Sequence, residues 1–449
     1  MLKRLIRHIF FCCVVSLLSQ HPAQAAFENA EEFFLDNGMQ VVVIPNHKAP
    51  IVFHAVLYKA GSVDEHIGKG GLAHLTEHLM FRGTHKFPDG RFNQLIENNG
   101  GQSNAGTSHD FTYYHQFLNI RSLELAMYME ADRMNGLALE DNAFYQERKI
   151  VFQERQQRMN SNVASAFWEK FNKFFHGDSP YGNPVAGTEK EIAALTKKDV
   201  DDFYRRYYTP SNAVLILSGD IDVQTAQDLA QKYYGSIKNK KDKHSRKSVI
   251  EDLENKQKEA SVLSEFHKEV SVNRAVAQYM LPHYAGNDKK LYALMLYADW
   301  VGDGVNSLVY KELVEKQKIA VSAGTEFSFL TRGNSLFSFY AYFNKTADFP
   351  KLQKQFYSVL QQSEKQLTAK VLADLKEKEL AGLIYQNDNP SHAADIVLSW
   401  LGADYTLEDI KNFEKNINQV TLDDIKTVIK DIKEIYPVWG VVSPLGDEK

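Results

Sequence analysis

The sequence predicts an α+β chain built from two similar halves, and three observations carry that reading. An Asn37-Gly38 turn sits between apolar runs in the manner of a β-hairpin. A helical spacing of apolar residues covers Gly71 to Met80. The end of each half repeats one plan, a Thr-capped helix followed by an apolar strand.

The elements follow in order. Glu32-Phe33-Phe34-Leu35 and Met39 to Ile44 flank the Asn-Gly turn and read as paired strands. Ile51 to Tyr58 is a further β-rich run. The first half closes with Leu195-Thr196-Lys197-Lys198-Asp199-Val200, a helix, and the strand Ala213 to Gly219. The chain end repeats this as Val420-Thr421-Leu422-Asp423-Asp424-Ile425, a helix, and the strand Pro437 to Val442. Thr196 and Thr421 are each followed by Asp three positions later, which suits a reciprocal helix cap. Between the halves, residues 237–260 are dense in charge, with Lys238, Lys240, Lys241, Lys243, Arg246 and Lys247 among them. They read as a solvated linker. The expected organisation is a leader over 1–25, a first domain over 26–236, the linker over 237–260, and a second domain over 261–449.

Composition narrows the class. A hydrophobic fraction of 44% and an aromatic fraction of 12% suit a globular chain with large cores. Lys3, Arg4 and Arg7 precede the short apolar run Ile9 to Leu18 and the small-residue pattern Ala23-Gln24-Ala25. That is the pattern of a secretory signal, cut after Ala25, and the run is too short to span a bilayer. No later segment is apolar enough to span. The two cysteines, Cys12 and Cys13, lie inside the leader. A mature chain without thiols must therefore hold any metal by His and carboxylates. These features point to export, with a bacterial periplasm as the expected compartment. The net charge of −5 becomes −8 once the leader's three cations are gone, which disfavours nucleic-acid partners.

The chemistry concentrates in His74-Leu75-Thr76-Glu77-His78. Residues four apart share a helix face, so both imidazoles can reach one ion. Glu77 shares that face and can sit beside the metal without binding it, where a general base belongs. A catalytic zinc needs a further protein ligand and an open position. The candidates are Glu147 and Glu154, seven apart on the helical pattern Tyr145 to Glu154. By spacing, one can ligate while the other holds a ligand histidine.

These residues belong to a larger set. Gly61-Ser62-Val63-Asp64-Glu65 precedes Gly71 to Phe81, and Gly83-Thr84 follows. Asn99-Gly100-Gly101, Asn104-Ala105, Thr107, Thr112, Tyr114, Glu147-Arg148, Glu154, Pro180-Tyr181-Gly182 and Gly187 come next. The whole resembles the pitrilysin and insulinase family (M16) of zinc metallopeptidases, including the mitochondrial processing peptidases. The resemblance spans nearly all the mature chain and is strongest from Leu35 to Gly219. It implies two similar domains, each a mainly antiparallel sheet packed against helices, in chains that pair as a clamshell. It implies one zinc per chain on His74, His78 and Glu154, with Glu77 as base and Glu147 as the supporting carboxylate. It also implies that the segment carrying Gly101, Asn104 and Ala105 is an edge strand to which an extended peptide adds by main-chain hydrogen bonds.

One departure stands out. Many members of the family carry an Arg and a Tyr that contact substrate in the second domain, and the matching positions here are Val314 and Val321. Some bacterial relatives divide the zinc motif and the Arg/Tyr pair between two subunits. The expected function is therefore zinc-dependent cleavage of peptides or unfolded segments, as a homodimer or as the catalytic subunit of a heterodimer with an Arg/Tyr-bearing partner. The alternative is a peptide-binding or assembly subunit that keeps a zinc site without useful catalysis.

Overall fold

The computed structural model describes residues 27–161, 163–240, 246, 249–250 and 261–445. The leader reading over 1–25 lies outside them, as does most of the stretch 241–260.

The first half contributes β1 (Glu31–Phe34), β2 (Gln40–Pro45), β3 (Ile51–Tyr58), β4 (Gln102–Thr107), β5 (Thr112–Asn119) and β6 (Ala213–Gly219). Its helices are α1 (Leu72–Met80), α2 (Arg91–Asn98), α3 (Leu123–Asn135), α4 (Asp141–Ser161), α5 (Val163–His176), α6 (Glu189–Ala194), α7 (Lys197–Tyr207) and α8 (Val223–Tyr233). The second half contributes β7 (Ser261–His267), β8 (Asn273–Leu281), β9 (Ala320–Ser328), β10 (Ser335–Phe343) and β11 (Val438–Pro444). Its helices are α9 (Lys289–Gly302), α10 (Phe349–Gln366), α11 (Ala369–Asn387), α12 (Pro390–Gly402), α13 (Leu407–Lys411), α14 (Phe413–Gln419) and α15 (Leu422–Lys433).

The duplication is plain in the topology. The first sheet has the order β1-β2-β6-β3-β5-β4 and the second β7-β11-β8-β10-β9. Without β1 the two orders are the same, strand for strand in chain order. In each, the first strand pairs parallel with the last, and every other pairing is antiparallel. The Asn37-Gly38 turn joins β1 to β2, with Gly38 at φ +85°. Thr196 and Thr421 make the reciprocal caps expected of them, each with the Asp three positions on.

The central strands β2, β3 and β6 of the first sheet are buried on both faces, which is why they read as nearly unbroken apolar runs. Val41, Val43, Val52, Val56 and Leu215 pack beneath α1, α3 and α7. Val42, Ile44, Phe53, Ala55 and Ile216 join the core of the second half, where α12 lies across β3 and β6. The second half receives a helix in return. Phe167, Phe171 and Phe175 of α5 pack on Val276, Met280, Val438 and Val442 of the second sheet. Each half thus lends a helix to the other's sheet.

The described residues of the stretch 237–260 are mixed, with Lys238, Asn239 and Ile250 exposed and others held against the fold. Ile237 is buried. Lys240 donates from Nζ to Met134 O at 2.7 Å and Tyr208 O at 3.0 Å, and its ammonium sits over the Tyr204 ring. Arg246 reaches Gly402 O, Asp404 Oδ1 and Asp110 O. Long basic side chains can cover apolar surface while their heads find acceptors, so a charge-dense stretch need not be solvated.

Candidate metal centre

Helix α1 starts at Gly71, which has φ +85° and would drive a Cβ to 2.5 Å from Ala186 O. Only glycine fits there. Leu72, Ala73, Leu75, Thr76, Leu79 and Met80 face the core, which leaves His74, Glu77 and His78 as a partly buried stripe on the other side. Helix α4 packs across α1. Its Phe144 and Val151 are buried, and the same face carries Glu147 and Glu154 toward the two histidines.

The polar atoms converge. One ligand atom from each of His74, His78 and Glu154 lies within 4.8 Å of the others. Glu154 Oε2 is 3.5 Å from His78 Nε2 and 4.0 Å from His74 Nε2. Donors about 2.0–2.1 Å from a tetrahedral ion stand roughly 3.4 Å apart, so the set fits zinc after a small closure. Glu147, which is buried, accepts from His78 Nδ1 at 3.1 Å through Oε2. That leaves His78 Nε2 with its lone pair toward Glu154. Arg82 Nε donates to Glu147 Oε1 at 2.6 Å, and Arg158 to Glu154 Oε1 at 2.8 Å. Among the described residues no other cluster of His, Cys, Asp and Glu forms such a group.

The electrostatics separate the groups. Burial, with help from the charge of His78, pulls His74 down to about 4. Burial also opposes charge on His78, but the Glu147 hydrogen bond and the surrounding carboxylates outweigh it and raise the pKa. Glu147 is lowered: burial opposes, while His78 and Arg82 prevail. Glu77 is raised by burial, against the hydrogen bond it receives from Thr107. A desolvated, neutral His74 is a ready metal ligand.

Strand β4 borders this stripe and forms one edge of the first sheet, paired with β5 alone. Its register puts Ala105 and Thr107 on the α1 face, opposite Tyr114 and Thr112. Asn104 faces the other way, is exposed, and its Oδ1 accepts from Ala105 N at 2.9 Å. Gly101 lies one residue before the strand and is a buried turn residue, where a Cβ would crowd Ile96 and Leu118. In the second half, Val314 lies in the π-helical segment Tyr310–Lys316 and packs on the core, while Val321 is exposed on the edge strand β9. The sequence reading gave no role to Arg82 or Thr107. The contact of Arg82 with Glu147 is 65 positions distant in the chain and that of Thr107 with Glu77 is 30, so periodicity could not reveal either.

Known proteins resemble this chain along most of its length. Residues 40–189 match the family model described as insulinase (peptidase family M16), and residues 194–379 match that described as peptidase M16 inactive domain. The chain is 28% identical over 421 residues to zinc protease PqqE of Helicobacter pylori, covering 93% of each. It is 27% identical over 205 residues to the mitochondrial-processing peptidase subunit beta of Saccharomyces cerevisiae, covering 45% of each. The crystal structure of a protease from Helicobacter pylori superposes with a TM-score of 0.84 at 27% identity, covering 92% of this chain and 99% of that one.

Proposed function

The chain belongs to the M16, or insulinase, peptidase family, and from that premise we propose that it is a zinc-dependent endopeptidase acting on extended peptides or unfolded segments. The observation that carries this reading is the convergence of His74, His78 and Glu154, with the carboxylate of Glu77 on the same helix but outside that group.

His74, His78 and Glu154 hold the ion, and Glu147 orients His78 through Nδ1. A zinc ion held there supplies Lewis-acid chemistry, polarising a carbonyl and easing deprotonation of a water. Glu77 Oε2 is engaged by Thr107, so Oε1 is the oxygen that takes the proton from the attacking water and returns it to the leaving nitrogen. The free edge of β4 aligns the peptide by main-chain hydrogen bonds. The leader pattern supports export to a periplasm.

The ligand roles can be told apart. Glu147→Gln should weaken zinc binding by about 10–100-fold. Glu154→Gln should cost more, since it removes a donor to the ion itself. Titration against a competing chelator measures both, and the reverse order would exchange the two assignments.

Val314 and Val321 support a catalytic subunit that works with a partner bearing the Arg and Tyr. The test is cleavage of an unstructured fluorogenic peptide by the zinc-loaded chain, alone and with such a partner. Cleavage should be lost on chelation and restored by zinc. Strong activity from the chain alone would remove the need for a partner. Peptide capture without cleavage in either setting would instead identify a peptide-binding subunit.

A further inference from the structure

Glu77 receives a single side-chain hydrogen bond among the described residues, from Thr107 Oγ1 to Oε2. We propose that Thr107 is the positioning residue of this site, fixing the Glu77 carboxylate and tying it to the strand that borders the peptide path. The inference rests on the reading of Glu77 as the base.

The geometry behind Thr107 makes it a rigid support. It is the last residue of β4 and stands opposite Thr112, the first of β5. Thr112 is fully buried, donates to Ala60 O at 3.0 Å, and has its Oγ1 3.5 Å from that of Thr107. Beyond Thr107 the hairpin closes through Ser108 N donating to Phe111 O at 2.8 Å. The turn is clamped in its own right: Asp110 accepts from Tyr181 at 2.7 Å and from Arg332 N at 3.3 Å. Thr107 is therefore held from two sides by contacts that involve neither the histidines nor Glu154.

A glutamate on a partly buried helix face still has three rotatable bonds and no fixed aim. An O–H donor on one oxygen removes that freedom and leaves the other oxygen for the proton. Because the donor is the end of β4, whatever orders that edge also steadies the base. A peptide added along β4 would thus align the substrate and the carboxylate together.

The experiment compares Thr107→Val with Thr107→Ser. Valine keeps the shape and the strand preference but removes the donor. With zinc content verified, Thr107→Val should lower kcat on the order of 10- to 100-fold, the scale of misaiming a positioned catalytic group. KM should hold, and Thr107→Ser should recover most of the rate. A kcat for Thr107→Val within twofold of the parent, or a rise in KM with kcat unchanged, would overturn the proposal. The assay includes an Arg/Tyr-bearing partner, and if the parent chain cleaves nothing even with it, the endopeptidase reading fails separately. The hydrogen bond is then tested by unfolding the parent, Thr107→Val, Glu77→Ala and the double variant. The effects should be non-additive by on the order of tenfold in the unfolding equilibrium constant, and additivity would overturn the proposal regardless of activity.

Discussion

Replacing Glu77 with Gln should leave zinc bound and reduce peptide hydrolysis by about 10²–10⁴-fold, the range that general-base catalysis supplies. The change is close to isosteric. Glu77 stands three residues after His74 on α1 but outside the group formed by His74, His78 and Glu154, so the ion loses no ligand. The Gln carbonyl can still accept from Thr107, so the local packing is kept. What disappears is an oxygen able to take a proton. Metal analysis and peptide turnover on the same preparation separate the outcomes. Lost zinc would mean that Glu77 helps to hold the ion. Retained zinc with hydrolysis within tenfold of the parent would place the base elsewhere.

How much of this was legible beforehand depended on the range of the interaction. The α1 motif was readable because a helix puts positions four apart on one face, and the seven-residue step from Glu147 to Glu154 was readable on the same ground. Spacing alone could not say which of the two carboxylates faces the ion. That turns on how α4 crosses α1, and the answer lies in the contacts between them, Glu147 with His78 and Arg82 and Glu154 with His74 and His78. The two-sheet plan was readable from the repeated caps at Thr196 and Thr421, which are local. The exchange of α5 and α12 between sheets was not, because an amphipathic helix shows that it has an apolar face but not which sheet receives it. The charged stretch was legible only in part for a related reason. Its composition reads as solvated, yet the acceptors for Lys240 and Arg246 are carbonyls and carboxylates far away in sequence, and composition cannot report them.

The second large effect is expected far from the metal, where a buried ionic cluster joins the halves. Arg332 comes from the second half and is 3% exposed at its side chain. Its guanidinium lies 3.2 Å from both oxygens of Asp64 and 3.4 Å from Asp404, while its backbone N–H reaches Asp110. Tyr181 bridges Asp110 and Thr331 across the same seam. Arg332→Met keeps most of the stem volume and removes the cation, which leaves the buried Asp64 without that partner. Breaking a buried pair from one side costs about 3–5 kcal/mol, because the remaining charge is still desolvated. Urea unfolding should show that loss, and Arg332→Lys should recover only part of it, since an ammonium cannot offer the planar fork. The double variant Arg332→Met, Asp64→Leu should be less damaged than Arg332→Met alone, because both charges are then gone. A loss below about 1 kcal/mol for Arg332→Met, the scale of an exposed pair, would show that the seam is held by the apolar contacts of α5 and α12 instead. Arg332 meets Asp110, three residues beyond Thr107, through its backbone N–H, so the same variant keeps that contact and should leave kcat of the folded chain unchanged in the peptide assay. A destabilised chain with unchanged kcat would separate the stability of the seam from the aim of the base.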